Sequence, residues 1–174
     1  SQILAEFKDL VEKRQLAAHD ELGYTGDVKY HLGTHRAYRT GREVTLTITM
    51  VPNPSHLEFT DPVILGMARA AGTTVDRGGP PDFNPDFTLP VLIHGDAAFV
   101  GEGIVAETLN LCRLPGFQVG GSVHIIANNN IGFTTPPQQG RSTRYASDLA
   151  KGFGIPIVHV NADDPEVCIE AVRT

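Results

Sequence analysis

Three short apolar runs decide most of what this chain can fold into: 89–94 (LPVLIH), 122–127 (SVHIIA) and 155–160 (IPIVHV). Each is nearly continuous in apolar residues and bounded by breakers, so each predicts a strand buried on both faces. Helical spacing fills the intervals. Asp61-Pro62 opens one helix, with Val63, Ile64, Met67 and Ala68 on its apolar face. Residues 104–113 predict another, ended by Pro115-Gly116, and Asp164-Pro165 opens a third. Buried strands alternating with helices predict an α/β fold, a parallel sheet with helices on both faces and right-handed crossovers. Ligands of such sheets bind beyond the carboxyl ends of the strands.

The rest of the chain leads into this core. Ile3, Leu4, Phe7, Leu10 and Val11 recur at helical spacing, so 1–14 predict an amphipathic helix. Residues 23–41 carry Gly, Tyr, His and Arg without a period and predict a long loop, a kind of segment that is usually functional. Residues 44–50 (VTLTITM) alternate and are β-branched, which predicts a strand, broken by Pro52-Asn53-Pro54. Residues 78–85 (GGPPDFNP) are a connection, and 128–144 are a second long loop. The 174 residues suit a single domain. Within it, 1–43 supply a helix and a loop, and 44–174 supply the core. Because the chain enters and leaves in helical pattern without an initial Met, it is expected to be truncated at both ends.

A formal net charge of −6 argues against a partner with a phosphate backbone, so no nucleic acid is expected. No apolar run approaches the roughly 18 residues that span a bilayer, so no membrane partner is expected either. Cys112 and Cys168 form neither a CxxC pair nor a zinc spacing, and are expected as buried thiols in a reducing compartment.

The chemistry lies at two strand ends. Residues 93–98 read IHGDAA and residues 127–132 read ANNNIG, so a carboxylate ends one strand and amides end the next. Mg²⁺ seeks six oxygens, usually one or two from side chains and several from phosphates. Asp96 can give a carboxylate oxygen, Asn129 an amide oxygen and Ile131 its backbone carbonyl. Gly95, Ala97 and Ala98 lack bulk, so backbone N–H groups can approach a diphosphate, and Gly101 and Gly103 allow a turn into a helix whose N-terminus faces the anion. Glu102 at that turn is expected to point away. The competing reading is an Asp and Asn that merely cap helices and turns. A dinucleotide site is disfavoured, because no GxGxxG directly follows a strand.

A Gly-Asp followed about thirty residues later by Asn-Asn resembles the thiamine-diphosphate signature of transketolase-like enzymes. IHGDAAF, GEGIVAETLNL and NNNIGFTT resemble more specifically the 2-oxoglutarate dehydrogenase family of decarboxylating components. GDVKYHLG (26–33), VPNPSHLE (51–58), RSTRYASD (141–148) and HVNADDPE (159–166) agree, while GTHRAYRTG and GGPPDFNPDF are the least typical parts.

The resemblance implies that Asp96, Asn129 and the Ile131 carbonyl hold Mg²⁺ and that Ala97 and Ala98 lie against the diphosphate. It also implies two catalytic histidines in loops, His31 and His56. His94 is open between a structural and an active-site role, and His124 and His159 are expected in strands. Arg36, Arg39 and Arg42 are expected as a solvated loop set, and Asp164 as a helix cap rather than a metal ligand. The implied function is part of an oxidoreductase of the tricarboxylic acid cycle, which decarboxylates 2-oxoglutarate with thiamine diphosphate and passes the succinyl group to a lipoyl-bearing succinyltransferase component. A homodimer in bacterial cytoplasm or mitochondrial matrix is implied with it. The activating glutamate and an upstream HRGR-type segment are expected outside this chain, leaving it inactive alone. 2-Oxoadipate or another 2-oxo acid remains an alternative substrate. A non-catalytic cofactor-binding or assembly module and a transketolase-like sugar enzyme are the other readings.

Overall fold

The computed structural model describes residues 33–39, 41, 44–52 and 57–173; the helix expected over 1–14 lies outside them. The chain divides into two units, Ser1–Thr60 and Asp61–Thr174.

The first unit holds a hairpin of β1 (Thr34–Arg39) and β2 (Thr45–Met50). The strands are antiparallel, in register from Thr34↔Met50 to Arg39↔Thr45. Two expectations change here. Residues 34–39, read as loop, are a strand, and β2 pairs with this local neighbour instead of joining a parallel sheet. The strands are only five residues apart in sequence, so pairing them costs little entropy, whereas a parallel partner needs a crossover of a dozen residues or more. Arg36 and Arg39 are exposed, as expected of a solvated set, and Arg42 lies outside the described residues.

Helix α1 (Thr60–Ala71) begins at the last residue of the first unit, one residue before the expected cap, so Asp61 sits in its first turn. A two-residue pair follows, β3 (Thr73–Thr74) against β4 (Asp82–Phe83). The Arg69 guanidinium lies 3.9 Å from the centre of the Phe83 ring and donates to the Gln118 carbonyl at 2.8 Å, tying the 78–85 connection down.

The centre of the unit is β5 (Val91–Gly95) beside β6 (Val123–Ala127). They run parallel, from Val91↔Val123 to Gly95↔Ala127. Burial alternates: Leu92 and His94 face inward, while Val91 and Ile93 are exposed. Helices α2 (Asp96–Gly101) and α3 (Ile104–Asn110) carry the core, where Phe99, Val105 and Leu109 join Ala150. Burying each large side chain stabilises by about 1.5–3 kcal/mol. Between the helices Gly103 takes φ +77°, a left-handed position that glycine fills without strain. The helix was expected only after Gly103. It starts at Asp96 instead, because two alanines favour helix and an acidic residue suits the first turn.

Short helices α4 (Pro137–Gly140) and α5 (Asp148–Lys151) punctuate the second long loop. The last element is α6 (Pro165–Arg173), capped as expected by Asp164, whose Oδ1 accepts from the Val167 N–H at 3.2 Å. The third apolar run, 155–160, forms no ladder. Pro156 has no N–H to donate, yet Ile155 and Ile157 still turn inward onto the core cluster. The α/β character and the parallel pair therefore stand, while the described residues build three two-stranded sheets rather than one wide one. Cys112 is exposed and Cys168 half-buried, so the expected pair of buried thiols is not what forms. No helix among the described residues is long and apolar enough to cross a membrane.

Candidate metal and diphosphate site

The parallel register brings two chemistries to one edge. Because Gly95 is level with Ala127, Asp96 leaves β5 where Asn128 leaves β6. Gly95 is extended and Asp96 begins the helix at once, so its carboxylate sits in the first turn of α2. Asp96 is 1% exposed. Its Oδ2 accepts from Arg141 Nη1 at 2.8 Å, and its Oδ1 is buried without a hydrogen-bond partner.

The facing loop is shaped by its asparagines. Asn129 Oδ1 accepts from the Ile131 N–H at 3.0 Å, an Asx turn. Asn130 takes φ +58°, which asparagine tolerates, and its Oδ1 lies 3.5 Å from Arg141 Nη2. Gly132 then exchanges backbone bonds with Thr135 at 3.3 and 2.8 Å. A Cβ on Gly132 would stand 3.0 Å from Ala97 Cβ and 3.1 Å from the Thr135 carbonyl, so the loop lies directly on α2.

A cleft of about 210 Å³ opens between them, lined by Asp96, Ala97, Asn130, Thr135, Pro137 and Arg141 among others. Of the expected residues, Asp96 and Ala97 line it. Ala98 is half-buried, Asn129 and Ile131 are exposed, and none of these three is part of the lining. Glu102 is exposed, as expected. His31 and His56 lie outside the described residues. Arg141, Asn130 and Gly132 were not singled out from the sequence. The signal for Arg141 was its place at the head of RSTRYASD, and the signal for Asn130 was the run of three asparagines.

The residues fit a hard divalent cation with a diphosphate. The oxygen donors in the lining are the Asp96 carboxylate and the Asn130 amide, and neither Cys nor His lines the cleft. The orphaned Asp96 Oδ1 is the kind of atom a cation would satisfy. Asn129 Oδ1 keeps a second lone pair beyond its bond to Ile131.

Behind the site lies a histidine pair. His94 is 2% exposed, its Nε2 is 2.9 Å from His124 Nδ1, and the two rings stack 5.1 Å apart. His94 Nδ1 faces Asp61 Oδ2 at 3.7 Å, its ring meets Phe99 edge-on, and His124 Nε2 reaches Ser122 Oγ at 3.1 Å. His94 is thus held by β6, α1 and α2 just before Asp96. His124 lies in β6, as expected. His159 lies outside any strand, against the Tyr145 ring and 3.3 Å from Ser147 Oγ.

The chain matches the dehydrogenase E1 component family over residues 13–174. It is 56% identical over 175 residues to a protein of Geobacillus sp. (strain WCH70) named 2-oxoglutarate dehydrogenase E1 component, covering 98% of this chain and 18% of that protein. It is 61% identical over 151 residues to the protein of that name from Bacillus licheniformis, covering 87% of this chain and 16% of the relative. The relative from Bacillus subtilis is 54% identical over 175 residues, 98% of this chain and 18% of its own length. The chain thus spans under a fifth of the length of the curated relatives it matches.

Proposed function

The chain belongs to the dehydrogenase E1 component family, and from that premise we propose that it supplies the metal–diphosphate half of a thiamine-diphosphate site in a 2-oxoglutarate dehydrogenase. The observation that carries this reading is Asp96. It is a buried carboxylate with one orphaned oxygen, set level with an asparagine loop at the carboxyl edge of a parallel pair. Asp96, Asn129 and the Ile131 carbonyl would hold Mg²⁺, with Ala97 and Ala98 against the diphosphate. The domain is the diphosphate-binding part of a transketolase-like fold, and residues 1–174 are one piece of it. Bound thiamine diphosphate supplies the carbanion and the electron sink for loss of CO₂.

The residues of this chain orient and neutralise. His31 and His56 would donate hydrogen bonds to a substrate carboxylate or a developing enolate. The full-length protein, as a homodimer, would pass the succinyl group to a lipoyl-bearing succinyltransferase component. The bacterial relatives favour cytoplasm over mitochondrial matrix.

The test is acceptor reduction by the full-length protein with 2-oxoglutarate, 2-oxoadipate and pyruvate, each with and without thiamine diphosphate and Mg²⁺. Activity that needs both cofactors and favours 2-oxoglutarate supports the reading. Preference for another keto acid overturns the substrate. Cofactor binding without turnover leaves a binding module.

A further inference from the structure

A buried carboxylate must be neutralised whether or not metal is present. In Asp96 that task falls to Arg141. Its Nη1 is 2.8 Å from Oδ2, and the two side chains are only 8% and 2% exposed. The pair joins residues 45 apart, so it is a tertiary contact made for this place. The second arm of the guanidinium leans toward Asn130 Oδ1 at 3.5 Å, inside the cleft that would take the diphosphate. A divalent ion on Asp96 would put two cations on one carboxylate. Like charges a few ångströms apart repel each other, and more strongly where water is excluded.

Resting on the metal–diphosphate reading above, we propose that Arg141 is a cation built into the metal site. It neutralises Asp96 while the cleft is empty and opposes a divalent ion there, until the diphosphate brings enough negative charge to accommodate both. Arg141 thereby couples the two ligands: metal alone binds weakly, and metal with diphosphate binds strongly. It is a positioning residue and touches no reacting atom. The guanidinium suits this place because it stays charged at every working pH and its planar fork can bridge a carboxylate and a second acceptor.

The test uses the full-length protein and Mn²⁺, followed by its electron-spin signal, without and with thiamine diphosphate. Arg141→Gln should bind Mn²⁺ alone at least about tenfold tighter than the wild type, because a nearby like charge has been removed. Arg141→Lys should stay close to the wild type. The factor by which thiamine diphosphate tightens Mn²⁺ binding should be large in the wild type and smaller in Arg141→Gln. Arg141→Met, neutral and of similar length, repeats the measurement if the Gln variant does not fold. Unchanged or weaker Mn²⁺ binding in the neutral variants, or an unchanged coupling factor, overturns the role of Arg141. Asp96→Asn separates this from failure of the underlying reading: it should lose the site altogether, and if it binds Mn²⁺ like the wild type the metal assignment itself falls.

Discussion

Gly95 and Ala127 are the last paired residues of a parallel ladder, so both strands end on the same level. One residue further on, the chain must supply something at that edge, and it supplies Asp96 and Asn128. A slip of one residue would turn Asp96 to the opposite side. The geometry of the candidate site therefore hangs on the backbone register as much as on the side chains.

Asp96→Asn in the full-length protein should abolish Mg²⁺-dependent binding of thiamine diphosphate, by more than the roughly 10–100-fold typical of losing an outer-shell partner. It should also destabilise, because Arg141 keeps a buried charge without its counter-ion, a loss of about 3–5 kcal/mol. The double variant Asp96→Asn, Arg141→Gln should recover much of that stability but none of the cofactor affinity. Calorimetric titration and thermal melting check the two halves separately. A single variant as stable as the wild type would show that the pair is not buried as described.

Gly132 tests the loop. Its Cβ-free face lies against Ala97, so Gly132→Val must push the loop off α2. The loop is exposed, so the expected stability loss is small, about 1–3 kcal/mol. Cofactor affinity should fall by about tenfold or more, because a small misplacement of binding groups is costly. Retained affinity would show that the loop rides freely over the helix.

How much of this was legible beforehand follows from the distance over which each feature is decided. The parallel pair and Asp96 with its asparagine loop were readable because apolar runs and the residues that end them are local in sequence. Arg141 was not, since its partner is 45 residues away and they meet only once the loop folds back. β1 escaped because its sequence, THRAYR, holds few apolar residues and no alternation to read. The run 155–160 was readable as apolar and is not a strand, because strand pairing depends on a neighbour that a pattern cannot supply.

Asp148 gives the pH test. Its carboxyl is held below the usual carboxylate range, chiefly by Lys151, whose Nζ donates to it at 2.6 Å, and then by the Tyr145 N–H. A depressed folded-state pKa means the stabilisation is present above the unfolded value and is lost as pH falls through the folded one. Wild type and Asp148→Asn should therefore differ in melting temperature near neutrality and converge below the ordinary carboxylate range. The effect is small, since the pair is surface-screened and should weaken further in high salt. A gap that persists in acid would mean that Asp148 acts through hydrogen bonds alone.

The outer face of the parallel pair is the remaining test. Val91, Ile93, Val123 and Ile125 are 49%, 74%, 42% and 42% exposed, and they lie as cross-strand neighbours, Val91 with Val123 and Ile93 with Ile125. Parallel sheets are covered on both faces in folded proteins, because their strands carry apolar residues on each side. The curated relatives are more than five times longer than the stretch this chain matches, which leaves ample protein to provide the cover. Ile93→Lys should therefore act oppositely in two settings. In the 174-residue chain alone it should reduce self-association, read by light scattering, by breaking an exposed apolar patch. In the full-length protein it should cost several kcal/mol and reduce soluble yield, because the lysine would be buried without a partner. A full-length variant as stable as the wild type would show that this face stays in water, and that the sheet is half-covered by design.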